Sequence, residues 1–376
     1  MNKKELELYI HIPFCVRKCS YCDFLSAPAT EQTREAYMAA LFAEIGGRAK
    51  DYSDRTVTSI FIGGGTPSLL SGEQIGQLMD RIREQFAMAQ DAEITMEVNP
   101  GTASAEKLRN FYTAGINRLS IGMQSAQAEE LKNLGRIHDF EGFCQVYREA
   151  VEAGFTNINV DIMSGLPGQT LASYRDTLEK VLHLEPMPQH ISAYSLIVEE
   201  GTPFAAMAER GELPLPEEET ERAMYEETIE VLAKYGFHRY EISNYARDGY
   251  ECRHNVGYWI RRDYLGFGIG AASLIDNVRF QNEKSLGAYL AHPLESREEE
   301  QTLTVQDRME ETMFLGLRLT RGVSCVDFAE QYGRTVEEVY GEVIARNVAD
   351  GLLTVTERKE LSLIHISEPT RLDVIS

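Results

Sequence analysis

The sequence predicts an α/β fold built around a parallel β-sheet. Over the first two-thirds of the chain, apolar runs typical of strands alternate six times with helical patterns, and crossover helices of this kind connect parallel strands. In the segment Glu141–Ala153, for example, apolar residues recur every three or four positions and so form one face of a helix. Most of the unusual motifs follow directly after a predicted strand, which is where parallel α/β folds carry their functional residues.

The predicted strands and helices alternate along the chain. The strands cover Leu6–Pro13, Thr58–Ile62, Glu93–Val98, Arg118–Met123, Asn157–Met163 and His190–Val198. The helices cover Thr33–Lys50, Gly72–Phe86, Ala103–Ala114, Ala126–Leu134, Glu141–Ala153 and Leu171–Leu184. Later in the chain we expect a helix over Leu215–Tyr235, a strand over Arg239–Tyr245, helices over Gln306–Leu319 and Thr335–Val348, and a strand over Leu352–Val355. The last three elements predict a small, mainly helical C-terminal domain.

The composition argues against several classes of protein. The 376 residues include 37 Lys and Arg against 59 Asp and Glu, a formal net charge of −22, and so acidic a chain is a poor partner for nucleic acids. No apolar run approaches the roughly 18 residues of a membrane span, and the first residues lack the apolar core of a signal peptide. We therefore expect a cytoplasmic protein, at most peripherally associated with membranes, whose cysteines stay reduced.

Three of the six cysteines, Cys15, Cys19 and Cys22, lie within eight residues directly after the first predicted strand. Clustered thiolates in a reducing compartment indicate a metal site rather than disulfides. A [4Fe–4S] cluster normally takes four cysteines, so three would leave one iron open to an exchangeable ligand. The alternatives are a structural zinc site, with His11 as its fourth ligand, and unrelated buried thiols.

Polar and glycine-rich motifs follow the next predicted strands. The run Gly63–Pro67 contains three successive glycines, which let a ligand approach the backbone closely, although a tight turn explains it equally well. Glu97 ends an apolar strand with a carboxylate, which such a strand usually directs at a ligand, and a surface strand end is the alternative. Asp161, in the fifth strand, is a carboxylate followed by a Gly/Pro turn. Gln124 ends the fourth strand, and Arg136 lies just after the following helix.

These motifs, in this order, resemble the radical S-adenosylmethionine (SAM) superfamily, and within it the oxygen-independent coproporphyrinogen III oxidases and their relatives. The resemblance runs from about Leu8 to about Val355 and rests on the strings at residues 9–15, 63–67, 97–100, 122–125, 135–138 and 161–170. It implies a partial (β/α)6 barrel followed by a small α+β, winged-helix-like C-terminal domain. The implied domains are a barrel over 1–235, a linking region over 236–300 and the oxidase-type C-terminal domain over 301–360.

The resemblance also implies two cofactor sites. Cys15, Cys19 and Cys22 would hold the [4Fe–4S] cluster. The residues implied for the SAM site are Tyr9, Tyr21, Gly64, Gly65, Thr66, Glu97, Gln124, Arg136 and Asp161. A guanidinium such as that of Arg136 can pair with the carboxylate of the SAM methionine, and the acidic and amide side chains can bind its amino group and ribose hydroxyls.

Departures from the oxidase pattern favour a different branch of the family. Phe24 stands where the oxidases have a fourth cysteine, and their longer N-terminal segment before the cysteines is not seen. The string at residues 254–259 matches the H-N-x-x-Y-W motif of relatives that act as heme chaperones. In that interpretation His254 is an axial ligand of heme iron, with Tyr258 and Trp259 against the porphyrin. A capped turn with two core aromatic residues is the alternative.

We therefore expect a heme chaperone that transfers heme to respiratory membrane proteins and that can form a homodimer, with cluster and SAM retained for regulation or dimerisation. The alternatives are a coproporphyrinogen III dehydrogenase, which would make protoporphyrinogen IX, and a radical SAM enzyme with another substrate. No residue is assigned a catalytic role. The tail 361–376 resembles a translated sequencing-library adapter, and we set it apart from the fold.

Overall fold

A twelve-stranded sheet runs through most of the chain, and a three-stranded sheet lies near its C-terminal end. The computed structural model describes residues 3–295, 297–356 and 360–363. The strands are β1 (Lys4–Ile12), β2 (Arg55–Gly64), β3 (Ala87–Val98), β4 (Arg118–Gln124), β5 (Ile158–Ser164), β6 (His190–Ser195), β7 (His238–Arg239), β8 (Asn244–Ala246), β9 (Tyr264–Phe267), β10 (Ala272–Ile275), β11 (Val278–Asn282), β12 (Arg297–Thr302), β13 (Val323–Ser324), β14 (Leu353–Val355) and β15 (Glu360–Leu363).

Helices connect the strands and build the C-terminal domain. They are α1 (Glu31–Arg48), α2 (Gly72–Gln85), α3 (Ala105–Thr113), α4 (Ala128–Leu134), α5 (Phe140–Ala153), α6 (Leu171–Leu182), α7 (Pro203–Glu209), α8 (Glu218–Lys234), α9 (Arg253–Trp259), α10 (Leu286–Ala291), α11 (Val305–Gly316), α12 (Cys325–Tyr332) and α13 (Val336–Ala349). Several begin where the sequence offers a cap: Ser71 and Gln74 form a capping box at the start of α2, which satisfies backbone donors that the helix leaves unpaired.

The six predicted strands form the parallel centre of the large sheet, in the order β1 to β6. The mixed α/β architecture expected from the sequence is therefore confirmed. The segment 236–300 contributes more than a linker, because β9 pairs parallel to β1 at one edge and β8 pairs antiparallel to β6 at the other. Strands β10 to β12 continue from β9 as an antiparallel meander. The single strand predicted over Arg239–Tyr245 is instead the short antiparallel pair β7 and β8.

The two faces of the parallel strands differ sharply in polarity. Side chains alternate between the faces of a strand, and the apolar set packs against the surrounding helices in one large core. The opposite face is buried but polar. It carries Glu7, Ser59, Glu93, Arg118, Asn159 and His190. Ser59 lies opposite both Glu7 and Glu93, and Asn159 lies opposite His190. A buried polar face of this kind needs partners for every group.

Helix α9 covers this polar face and supplies many of those partners. The sequence suggests a loop at this motif, whereas the structure has a helix. His254 Nδ1 lies 2.9 Å from the Ser59 hydroxyl, and its ring stacks on Phe61 at 5.3 Å. The Glu93 carboxylate accepts hydrogen bonds from the Cys252 thiol at 3.6 Å and from the His254 backbone N–H at 3.4 Å.

The C-terminal domain has its own sheet and its own core, as the sequence predicts. Strand β15 pairs with both β13 and β14, and α11, α12 and α13 pack beside them around Met309, Phe328 and Val336. Leu361, the first residue of the segment that we set apart from the fold, is buried in this core, and residues 361–363 complete β15. The remainder of that segment, 364–376, lies outside the described residues. None of the described helices combines the length and the hydrophobicity needed to span a bilayer.

The close packing of α9 yields a stability prediction. A Cβ atom at Gly257 would lie 2.0 Å from a Glu7 carboxylate oxygen, so Gly257→Ala should displace α9 and lower the free energy of unfolding by about 1–3 kcal/mol. The matched control is Gly76→Ala in α2, where nothing lies within 4 Å of the new methyl group and helix propensity should add about 0.5–1 kcal/mol. Thermal unfolding of both variants measures the difference. Equal midpoints would mean that α9 is not held tightly against the sheet.

Candidate functional site

The loop that follows β1 carries the three clustered cysteines. Its base is closed by two backbone hydrogen bonds, from Cys15 to Ala27 at 3.1 Å and from Ala27 to Pro13 at 3.0 Å. Cys15, Cys19 and Cys22 are half-buried and line one cavity of about 340 Å³, which we call the first cavity. The loop therefore brings together the three thiols that the sequence singled out.

A single metal ion and a multi-iron cluster require different arrangements of the three thiols. In the described part of the chain, no three His, Cys, Asp or Glu side chains are arranged to hold one metal ion. Zinc would need its ligands converging on one point, with sulfur at about 2.3 Å, whereas the thiolates of a [4Fe–4S] cluster each bind a different iron. His11 is not directed to such a site, because its Nδ1 lies 3.0 Å from the Tyr9 hydroxyl and its Nε2 2.9 Å from the Leu25 carbonyl.

The glycine-rich run after β2 packs directly against the cysteine loop. Gly65 donates its N–H to the Ile12 carbonyl at 2.8 Å, and a Cβ at Gly65 would lie 2.7 Å from the Phe14 carbonyl oxygen. The Thr66 hydroxyl donates to the Cys15 sulfur at 3.5 Å. The three glycines are thus more than a turn, because a side chain at Gly65 would push the thiol loop away.

Two carboxylates face each other across the first cavity. Glu97 accepts a hydrogen bond from the Gly64 N–H at 3.0 Å; burial and the nearby charge of Asp161 raise the Glu97 pKa to about 7. Asp161 accepts from Asn159 at 2.6 Å and from Ser120 at 3.2 Å, and burial raises its pKa despite these bonds. Neither carboxylate lies at a solvated strand end. A cationic group between them would favour the ionised form of both.

Arg136 is the half-buried cation of this cavity, whereas Arg17 and Lys18, which also line it, are exposed. Gly135 ends α4 in the left-handed conformation, with φ of 75°, and so turns Arg136 inward. One Arg136 terminal nitrogen donates to the Gly122 carbonyl at 2.7 Å and the other approaches the Cys19 sulfur at 3.9 Å. Its Nε is buried without a partner among the described residues. An unpaired buried donor of this kind indicates a site that an anionic ligand group would complete.

The structure assembles the predicted SAM residues in the first cavity, with one difference. The first cavity is lined by Tyr21, Gly64, Gly65, Thr66, Glu97, Gln124, Arg136 and Asp161. Gln124 has a positive φ of 70°, and its side-chain oxygen accepts from the Tyr194 hydroxyl at 2.9 Å. Tyr194 was not identified from the sequence, because no motif surrounds it. Tyr9 instead lines a neighbouring cavity.

This neighbouring space, which we call the second cavity, has a volume of about 550 Å³. It lies between β1, α9, the strands β9 to β11 and helix α11 of the C-terminal domain. Phe24, Gly64 and Glu97 line both cavities, so the two share a wall. Aromatic and aliphatic side chains make up most of the second cavity: Tyr9, Phe24, Leu25, Tyr258, Trp259, Tyr264, Leu274 and Leu315.

Two of the three predicted heme residues line the second cavity, and His254 does not. Tyr258 and Trp259 line it. His254 is 1% exposed, and both of its ring nitrogens are engaged, with Ser59 at 2.9 Å and with the Tyr258 hydroxyl at 3.0 Å. Burial, reinforced by the charge of Arg118, lowers the His254 pKa to about 3, so the imidazole stays neutral. This geometry is at odds with the expectation that His254 presents a free nitrogen to an iron.

Sequence reasoning missed the charged side chains of the second cavity. Arg261 and Arg279 line it, and Glu311 of α11 joins them. These residues come from three distant segments, so no spacing in the sequence connects them. Cys252, beside the motif, lies in neither cavity; burial raises the pKa of its thiol to about 12.

Comparisons with known proteins agree with this architecture. The family model of the radical SAM superfamily matches residues 9–181, and that of the HemN C-terminal domain matches residues 303–359. Among solved structures, the coproporphyrinogen III oxidase HemN from Escherichia coli superposes with a TM-score of 0.83 at 28% identity, covering 96% of this chain and 87% of that one.

Curated relatives are similar over almost the whole chain. The heme chaperone HemW of Bacillus subtilis is 39% identical over 356 residues, which cover 93% of each protein. The heme chaperone HemW of Escherichia coli is 36% identical over 379 residues, covering 96% of this chain and 97% of the relative. A mitochondrial radical S-adenosyl methionine domain-containing protein 1 of Danio rerio is 38% identical over 267 residues, 71% of this chain and 60% of that protein.

Proposed function

We propose that this chain, which belongs to the HemW family of the radical SAM superfamily, binds heme and transfers it to respiratory membrane proteins. The second cavity is the observation that supports this most directly. Its volume of about 550 Å³ lies in the range of cavities that hold cofactors and other small ligands. Its walls combine aromatic and aliphatic side chains with two arginines, which suits a flat, largely apolar macrocycle that carries anionic groups.

Heme would pack in this cavity against Tyr258 and Trp259. The Trp259 ring is backed by the Arg318 guanidinium at 4.4 Å, a cation–π contact that fixes the indole. Tyr258 is held from below by the 3.0 Å hydrogen bond to His254. We therefore assign His254 a positioning role through Tyr258, in place of the axial ligation expected from the sequence, because both of its nitrogens already have partners.

The first cavity would hold a [4Fe–4S] cluster and SAM. Cys15, Cys19 and Cys22 would each bind one iron, and Arg136 would pair with the SAM carboxylate through its unpaired Nε. Glu97 and Asp161 would bind the amino group and the ribose. When bound, a reduced cluster of this type supplies the electron that cleaves the SAM sulfonium. We propose that the cluster and SAM serve regulation or dimerisation in this chain. We also propose that the protein attaches to membranes at most peripherally.

An enzymatic function is the second candidate. The solved structure with a TM-score of 0.83 is that of a coproporphyrinogen III oxidase. The observation that favours this alternative is the wall shared by the two cavities, formed by Phe24, Gly64 and Glu97. A tetrapyrrole in the second cavity would lie next to bound SAM, which is what hydrogen abstraction from its side chains requires. A radical SAM reaction on another substrate would need the same proximity.

The cofactor assignment predicts that SAM binding and iron binding in the first cavity can be lost independently. Arg136→Gln and Asp161→Asn should each weaken SAM binding by about 1.5–3 kcal/mol, the usual worth of a hydrogen bond to a charged group. Anaerobically reconstituted protein should keep about four iron per chain in both variants, whereas Cys19→Ser should lose the iron. Asp80→Asn, at an exposed carboxylate on α2, is the matched control.

Equilibrium dialysis with SAM and iron analysis measure these effects. Unchanged SAM affinity in both cavity variants would contradict the assignment of Arg136 and Asp161. Uptake of one zinc per chain and no iron would contradict the cluster.

The chaperone proposal predicts heme binding without coproporphyrinogen turnover. Wild-type protein with its cluster should bind one heme per chain, because the second cavity has a suitable size and lining. His254→Leu should lower that affinity, since Tyr258 loses its partner, while SAM binding in the first cavity stays unchanged. His183→Leu is the matched control, because His183 is exposed and bonds only within its own helix end.

Parallel absorbance titrations with heme and anaerobic assays with coproporphyrinogen III decide between the candidates. Conversion at about 1 per second or faster, a rate typical of enzymes, would favour the oxidase. Equal heme affinity in wild type and His254→Leu would remove the positioning role of His254 and leave the chaperone proposal standing.

A further inference from the structure

Three charged side chains meet in the wall of the second cavity. Glu311 bridges two arginines: one carboxylate oxygen lies 2.8 Å from Arg261 Nε, and the other lies 2.7 Å from a terminal nitrogen of Arg279. Both arginines line the cavity. Two guanidinium groups and one carboxylate leave this cluster with a positive charge, in a chain whose net charge is −22.

The cluster is largely shielded from bulk water. The side chain of Arg261 is 4% exposed and that of Glu311 is 7% exposed, while Arg279 remains accessible at 41%. Electrostatic attraction is stronger in such a partly dry site than at an exposed surface. Arg261 has a positive φ of 57°, an uncommon backbone conformation for an arginine, directly after α9. The backbone is therefore locally strained at Arg261, whose side chain lines the second cavity.

We propose that Arg261 and Arg279 bind the propionate carboxylates of heme, and that Glu311 holds their place until heme enters. This inference deepens the function proposed above and rests on it. The aromatic and aliphatic residues of the second cavity hold the macrocycle, and the arginine pair holds its two carboxylates.

The geometry of Glu311 supports this assignment. A single carboxylate already bridges the two guanidinium groups in the bound arrangement that a propionate would adopt. Each guanidinium has five N–H donors, so one carboxylate cannot satisfy both arginines, and donors remain for further anionic groups. Arg261 also donates to the Asn277 side-chain oxygen at 3.5 Å, and the Tyr264 hydroxyl forms a hydrogen bond with Arg279.

The position of Glu311 makes the C-terminal domain part of the heme site. Glu311 lies on α11, as does Leu315, which lines the same cavity. A propionate that approaches the same two guanidinium groups repels the Glu311 carboxylate, so heme binding must weaken the ion pairs between α11 and the arginines. Glu311 therefore lowers heme affinity, which is the property a chaperone needs in order to release its cargo.

The test compares heme with heme dimethyl ester, in which both propionates are neutral. Wild-type protein should bind the ester at least tenfold more weakly than heme, because hydrogen bonds to charged groups are lost. Arg261→Gln and Arg279→Gln should each reduce heme affinity about tenfold or more and leave the affinity for the ester unchanged. Arg253→Gln is the matched control, since Arg253 lies on α9 but pairs with Asp91 at the surface.

A fourth variant separates ligand recognition from a structural role. Glu311→Gln removes the competing charge, so heme should bind more tightly than to wild type, whereas the ester should bind as before. A purely structural ion-pair cluster predicts weaker binding of both ligands in this variant. Titrations followed by absorbance, on the full chain with its cluster, give all of these affinities.

The outcomes distinguish this inference from the proposed function. If wild-type protein binds no heme, the chaperone proposal fails and this inference falls with it. If wild type binds heme but the arginine variants bind heme normally, only the propionate assignment is overturned. Equal losses for heme and for the ester in the arginine variants would also overturn it, because the arginines would then be shaping the cavity.

Discussion

The second cavity depends on the packing of α9 against the buried polar face of the parallel strands. Ser59 and Glu93, which lie in the protein interior, would each lose hydrogen-bond partners without α9 and the cysteine that precedes it. The same contact sets the second cavity in place, because α9 carries Tyr258 and Trp259 on its last turn. His254 connects the polar face to the second cavity, because one of its ring nitrogens is hydrogen-bonded to Ser59 and the other to Tyr258.

A continuous set of hydrogen bonds connects the interior polar face to both cavities. From Asp161 in the first cavity, contacts pass through Asn159 to His190 at 2.6 Å and on to Tyr240 at 2.8 Å. The Tyr240 hydroxyl accepts from the backbone of Cys252 at the start of α9. One buried network therefore connects the carboxylates at the first cavity with the start of the motif helix at the second.

The sequence predicted the parts of this architecture that arise from local signals. Alternating apolar patterns predicted β1 to β6. Motifs near strand ends singled out Glu97 and Asp161, and a motif after a helix singled out Arg136; the structure places all three at the first cavity. The arrangement of residues 236–300 was missed, because short strands such as β7 and β9 acquire their identity by pairing with β8 and β1, not from their own sequence. The burial of His254 was missed for a related reason. Its environment is set by Ser59 and Phe61, which lie nearly two hundred residues earlier.

The central claim is that heme occupies the second cavity, and filling that cavity tests it most directly. Ala272 lines the second cavity and lies outside the first, so Ala272→Trp should place an indole in the space that heme requires. Ala291→Trp, at an exposed alanine of α10 away from both cavities, controls for the added ring. Titration of both variants with heme and with SAM should show heme affinity reduced at least tenfold in Ala272→Trp only, with SAM affinity retained. Unchanged heme affinity in Ala272→Trp would contradict the account, because heme would then bind elsewhere on the chain.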